Sequence, residues 1–173
     1  CKLDVAQLKD APEEIALRSL SRILVAISGR NYPPRLDQVE RLYDNLARDK
    51  LEGGCTLAGC GVVPKQAHLL FFRENAAITD CQEITADMVW DGRYRVCFSG
   101  VDATLKIQKM GADGWAQLKQ VVDKNTEFPA VVRNSLPAIW QGDIVLSVPH
   151  IQGLGHAKKF GLSKISLIAG KNF

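Results

Sequence analysis

The sequence lacks most of what would announce a reaction centre. It has no G-x-x-x-x-G-K-[ST] loop, no G-x-G-x-x-G after a strand and no H-E-x-x-H. The phosphate cradle, the dinucleotide fingerprint and the helical zinc pair are therefore excluded. The five cysteines, Cys1, Cys55, Cys60, Cys81 and Cys97, never fall as C-x-x-C. An odd number without a repeated short spacing reads as reduced, mostly core thiols, with Cys60 on one strand face beside Ala58 and Val62. No apolar run approaches the roughly 18 residues of a membrane span, and no charged-then-apolar leader opens the chain. A soluble, cytoplasmic protein without a membrane partner is expected. Cys1 stands where a Met would, so the terminus is either a fragment boundary or a processed end, such as the lipid-bearing cysteine of a mature bacterial lipoprotein. No polar tether follows it, which favours the boundary.

What is present suits a packed core. The chain has 173 residues, 46% hydrophobic and 24% charged, enough for one domain or for a helical piece with a β-rich one. Net charge is only +3, but acids are missing from one end: residues 144 to 173 carry Lys158, Lys159, Lys164 and Lys171 and no acid. Such a tail suits a phosphate backbone or an acidic surface; an ordinary basic terminus is the competing explanation.

Helical patterns come first. Asp10-Ala-Pro-Glu13 has a capping residue and a first-turn proline, and Ala16, Leu20, Ile23, Leu24 and Ile27 form one apolar stripe that Ser28-Gly29 ends. Arg18 and Arg22 lie one turn apart, off the centre of that stripe, as a small basic patch or plain solvated surface. Asn31-Tyr-Pro-Pro-Arg35 is a stiff link. A second helix carries Leu36, Val39, Tyr43 and Leu46 inward, with Asp37/Arg41 and Asp44/Arg48 as ion pairs. Glu52-Gly53-Gly54 then breaks the pattern. The expected domains are a helical segment over 1–52 and a β-rich α+β domain over 53–173.

Strands dominate afterwards. Thr56 to Val63 and His68 to Arg73, with Lys65-Gln66-Ala67 between them, read as a β-hairpin. Asp91-Gly92 suits a tight turn between two β-rich runs, and alternation sends Arg93, Arg95 and Cys97 outward, opposite Tyr94, Val96 and Phe98. Residues 101–110 read as a strand, 113–124 as a helix with Trp115, Leu118 and Val121 inward, 129–135 as a short helix and 137–149 as a hairpin turning at Gln141-Gly142-Asp143. The fold class is α+β: an N-terminal helical hairpin, then antiparallel hairpins with one or two short helices. Trp90 and Trp140, each beside a turn, are expected in the core.

No nucleophile, base and orienting group fall within reach of one another, so no catalytic or metal-binding residue is assigned. His68 opens an apolar strand and reads as satisfied in or beside the core, while His150 and His156 sit near a glycine-loosened stretch that suits either an anion or a plain surface loop. The remaining reading is a binding module.

Six short stretches, in order, carry a resemblance: Tyr32-Pro-Pro-Arg35, Thr56-Leu-Ala-Gly-Cys60, Phe72-Arg-Glu74, Trp90-Asp-Gly-Arg93, Leu136-Pro-Ala-Ile-Trp140 and Val145-Leu-Ser-Val-Pro-His150. Together they resemble the C-terminal half of bacterial tRNA(Ile)-lysidine synthases of the alphaproteobacterial type. The resemblance implies a ligase that uses ATP, with Mg, to attach lysine to the anticodon cytidine of an isoleucine tRNA. In that family a Ser-Gly-Gly-x-Asp-Ser loop and the chemistry belong to an N-terminal domain; here the nearest string is Ser28-Gly29-Arg30, which does not match. The implied partners are tRNA and that N-terminal catalytic domain, with no cofactor in this chain. RNA held through its phosphates calls for exposed basic side chains, and the candidates are Arg73, Arg93, Arg95, Lys158, Lys159 and Lys164. A stand-alone protein-interaction module or a mature lipoprotein is the alternative.

Overall fold

The computed structural model describes residues 1–78, 81–98, 104–120, 122, 128–151 and 162–167. They fall into two compact units, Cys1–Ala77 and Ile78–Ile168. Each is α+β.

The first unit sets helices on a sheet. Strand β1 (Lys2–Asp4) leads into helix α1 (Val5–Asp10), followed by α2 (Glu13–Ser28), α3 (Leu36–Ala47), β2 (Cys55–Leu57), β3 (Cys60–Lys65) and β4 (His68–Arg73). The strands form one antiparallel sheet in the order β1-β4-β3-β2. Alternation along β3 and β4 turns Cys60, Val62, Leu69 and Phe71 to one face. There they join Leu8 of α1, Ala16, Leu20 and Leu24 of α2, and Val39, Leu42 and Leu46 of α3 in a single core. Burying each such leucine stabilises the unit by roughly 1.5–3 kcal/mol, which explains why neither helix stands alone. It also explains why the units part after Ala77 and not at Gly53-Gly54. The helices of the expected 1–52 segment complete their core only on β3 and β4.

Local sequence accounts for most boundaries and corrects others. Gly29 ends α2 in the left-handed region at φ 70°, its N–H donating to the Val25 carbonyl. Asp10, expected to cap α2, is instead the last residue of α1, whose own cap is Asp4, accepting from the Gln7 N–H at 2.9 Å. The ion pairs of α3 form as expected, Asp37–Arg41 at 2.9 Å and Asp44–Arg48 at 3.7 Å. Leu36 does not turn inward: it is 62% exposed, and Leu42 takes the buried position. The expected central hairpin is a three-stranded meander, because Ala58 and Gly59 adopt φ 55° and 77° and fold β2 back on β3, pairing Leu57 with Cys60. Across β3, Phe72 stands opposite Gly61 and its ring covers the bare backbone there.

The second unit is richer in strands: β5 (Gln82–Glu83), β6 (Met88–Trp90), β7 (Tyr94–Phe98), β8 (Lys106–Lys109), helices α4 (Gly111–Leu118) and α5 (Ala130–Arg133), then β9 (Pro137–Gln141), β10 (Ile144–Ser147) and β11 (Leu162–Leu167). One antiparallel sheet runs β10-β9-β8-β5 and a second β11-β7-β6. Strand β9 is covered on both faces. Ala138 and Trp140 join Met110, Leu118 and Val145, while Ile139 joins Trp90, Tyr94, Val96 and Ile107. Trp90 and Trp140 are thus core anchors, as expected. Both predicted turns form: Asp91 and Gly92 take φ 51° and 64°, and Gly142 takes 57° ahead of the Ile144–Gln141 pair. Val121 lies outside the described residues, and α4 begins at Gly111, two residues before the predicted start. Gly114 of α4 packs so close to Trp140 that an added Cβ would sit 3.0 Å from its ring.

Candidate nucleic-acid interface

Two of the six candidate side chains belong to the interior. Arg73 ends β4, and its guanidinium donates to the Gly59 carbonyl at 2.9 Å and to the Ala77 carbonyl, tying the β2–β3 turn to the segment after β4. Arg93 was expected to point outward from a strand. Instead it closes the Asp91-Gly92 turn, its N–H donating to the Trp90 carbonyl at 3.1 Å, and β7 starts one residue later. Its side chain is 6% exposed and meets Asp91, 1% exposed, through Nε to Oδ2 at 2.6 Å. The alternation argument failed because the extra turn residue shifts Arg93 out of the strand register. Two buried opposite charges satisfy one another, and the Arg93 guanidinium is not available to neutralise a phosphate.

Around that pair the ring of Tyr94 stacks. Arg93 lies over it with its guanidinium carbon 5.0 Å from the centroid, Trp90 packs at 6.0 Å, and the His150 imidazole meets it edge-on at 5.3 Å. Burial pushes the Tyr94 hydroxyl above its ordinary pKa, Arg93 opposing and Asp91 adding to the rise. His150 remains exposed overall, yet partial burial of its ring, followed by the Arg93 charge, holds it below the usual histidine value. This cluster is a structural joint. His68, at the start of β4, is exposed beside the core, and His156 lies outside the described residues.

Of the remaining candidates, Arg95 is exposed on β7, opposite Val89 of β6 and Ser166 of β11. Lys164 stands opposite Cys97 and Ser166 opposite Arg95, so the register sets the backbone of Lys164 and Arg95 two pairs apart in one sheet. Lys158 and Lys159 lie outside the described residues. The cysteines were expected mostly in the core, but only Cys60 is buried, its thiol donating to the Leu24 carbonyl at 3.5 Å; Cys55 and Cys97 are half-buried, and Cys1 and Cys81 are exposed.

A second basic region lies in the first unit. Arg18 is taken up by Glu14 at 2.6 Å, whereas Arg22 is exposed and carries no ion pair among the described residues. The signal for this region was an absence: residues 15 to 36 hold Arg18, Arg22, Arg30 and Arg35 and no acid.

Among the described residues no three histidine, cysteine or carboxylate side chains gather as a metal site, and no helix is long and apolar enough to cross a membrane. The sequence also holds no phosphate-binding loop of the kind that cradles a nucleotide triphosphate. The structure thus defines a class: a chain of two α+β units, each with exposed basic side chains, Arg22 in the first and Arg95 in the second.

Its relatives are specific. The chain is 24% identical over 165 residues to a tRNA(Ile)-lysidine synthase of Wolbachia pipientis wMel, covering 87% of this chain and 35% of that protein. To the protein of the same name from Ruegeria pomeroyi it is 28% identical over 148 residues, 85% of this chain and 33% of the relative. The Rickettsia bellii counterpart is 29% identical over 157 residues, 86% and 36% respectively. No family model and no solved structure matches. The chain is similar to tRNA(Ile)-lysidine synthases of several alphaproteobacteria and spans about a third of the length of those it matches.

Proposed function

We propose that this chain is the C-terminal, tRNA-gripping part of a tRNA(Ile)-lysidine synthase, whose remaining two thirds hold ATP and its Mg and carry out the lysine attachment. The observation that carries the reading is the run of matches to proteins of that name over about 85% of the chain and only about a third of theirs. The chain's lack of a phosphate-binding loop fits a division of labour in which binding and chemistry sit in different parts of one polypeptide. Cytoplasmic location follows from the substrate.

On this reading the second unit meets RNA through Arg95 and Lys164, with Lys158 and Lys159 extending the contact from the acid-free tail. Phosphate contacts of this kind position RNA without reading its sequence. The chain alone binds tRNA with a dissociation constant of roughly micromolar or weaker at physiological salt, because few charges are available. It transfers no lysine. The test is fluorescence anisotropy with labelled tRNA against the wild-type chain and a Lys158→Ala/Lys159→Ala/Lys164→Ala variant. Uniformly weaker binding to unrelated RNAs and a flatter salt dependence support the reading; unchanged affinity and slope remove the tail from the contact. Lysine transfer to tRNA by the isolated 173 residues would overturn the division of labour.

A further inference from the structure

The corner joining α2 to α3 is a place where charge and apolar exposure coincide. Gly29 stops α2 in the left-handed region, and the consecutive prolines Pro33 and Pro34 hold the chain extended until Arg35 starts α3, its carbonyl accepting from the Gln38 and Val39 N–H groups at 3.0 and 3.3 Å. Tyr32 precedes the prolines and is 81% exposed, the most exposed large hydrophobic side chain described. Leu36 and Ile15, at 62% and 51%, are the other two in this unit, so all three fall within the acid-free stretch from 15 to 36.

The link folds back over α2. Pro33 closes a groove of about 200 Å³ with Arg18, Ser21, Arg22 and Val25, and Pro33, Pro34 and Leu36 line a wider groove of about 590 Å³ that runs on toward Glu13 and Glu14. Arg22, Arg30 and Arg35 are exposed and carry no ion pair among the described residues. By contrast, the neighbouring Arg18, Arg41 and Arg48 are matched to Glu14, Asp37 and Asp44. An unmatched set of arginines calls for an anion, and a solvent-facing ring on a stiff mount calls for a flat apolar partner.

We propose that this corner binds an unpaired stretch of RNA, one base stacking on Tyr32 while the adjoining phosphates meet Arg22, Arg30 and Arg35. A nucleotide supplies both demands in one ligand, a π-face and a phosphate at fixed separation. An acidic peptide would answer the charge and leave the tyrosine in water. Double-helical RNA would present phosphates but no accessible base face. The proposal rests on the RNA-binding reading above and adds a site in the first unit that takes single-stranded RNA, distinct in substrate form from the Arg95 and Lys164 surface.

The test compares wild type with Tyr32→Phe, Tyr32→Ala and Arg22→Ala/Arg35→Ala, using labelled tRNA, an unpaired octanucleotide and a duplex of equal length. Circular dichroism checks that each variant folds, as changes at exposed positions should allow. Loss of one stacked base weakens octanucleotide binding by Tyr32→Ala roughly five- to hundredfold, while Tyr32→Phe retains it. The double arginine variant flattens the logarithmic salt slope for the octanucleotide by about 1.4. Duplex binding stays as in wild type. If wild type binds tRNA and the octanucleotide but Tyr32→Ala and the arginine variant bind the octanucleotide equally well, this site is wrong and the general reading stands, the corner then being protein-facing surface. If wild type binds neither RNA, both fall together.

Discussion

Asp91→Asn isolates the charge at the most buried ion pair among the described residues. The turn itself tolerates the change, since asparagine adopts the φ of 51° found at this position at least as readily as aspartate. Side-chain volume is nearly the same. What is lost is the carboxylate facing Arg93 Nε at 2.6 Å, with the two side chains 1% and 6% exposed, leaving a guanidinium buried beside the Tyr94 ring without its counter-charge. Removing one member of such a pair costs about 3–5 kcal/mol, and with so little water near it solvent screening offers no discount. For a unit of this size that lowers Tm by roughly 12 °C or more. The assay is unusually clean, because Trp90, Trp115 and Trp140 all lie in the second unit, so denaturant unfolding followed by tryptophan fluorescence reports on that unit alone. Arg93→Met should destabilise comparably, and the double variant Asp91→Asn/Arg93→Met should recover part of the loss, since two neutral side chains leave no unpaired charge. Single variants that each cost under about 1 kcal/mol would refute the assignment of Arg93 as an interior residue.

Trp90→Ala should cost about 3–5 kcal/mol of second-unit stability without a selective loss of RNA affinity; an unchanged melting temperature with lost RNA binding would reverse its role. Gly59→Ala meets two penalties, a left-handed φ of 77° and a methyl group driven into the Arg73 guanidinium, so a loss of about 1–3 kcal/mol in first-unit stability is expected by thermal circular dichroism. A variant as stable as wild type would show that the turn can relax. Because the folded His150 titrates below its ordinary value near 6.5, the unfolded chain binds its proton first as pH falls, and the contribution is complete above that value and lost as pH drops through the lowered one. Melting temperature should therefore decline more steeply between about pH 7 and pH 5 in wild type than in His150→Gln; equal slopes would exclude the effect.

The sequence made the α+β class, the two glycine-bearing turns at Asp91-Gly92 and Gly142, and the tryptophan anchors legible, because each depends on local chemistry. What escaped depended on other parts of the chain. Ala58-Gly59 is not the asparagine or aspartate pair that marks a tight hairpin, so one strand was read where β2 and β3 stand. Helix α1 has only Leu8 fully buried, too little for periodicity to detect. Arg73 and Arg93 looked like surface because arginine usually is. Their burial follows from carbonyls and a carboxylate that only the folded chain brings to them. Arg22, Arg30 and Arg35 were readable as an acid-free run, yet their meaning needed the exposure of Tyr32, which no pattern reports.

The central claim is that this chain grips RNA, and the salt dependence of tRNA binding tests it most directly. Titrating labelled tRNA with the wild-type chain across a series of salt concentrations should give weak, saturable binding whose logarithmic affinity falls linearly with logarithmic salt, with a slope of about −3 to −5 for the handful of basic side chains assigned here. Absence of saturable binding at low salt, or an affinity indifferent to salt, would contradict the account.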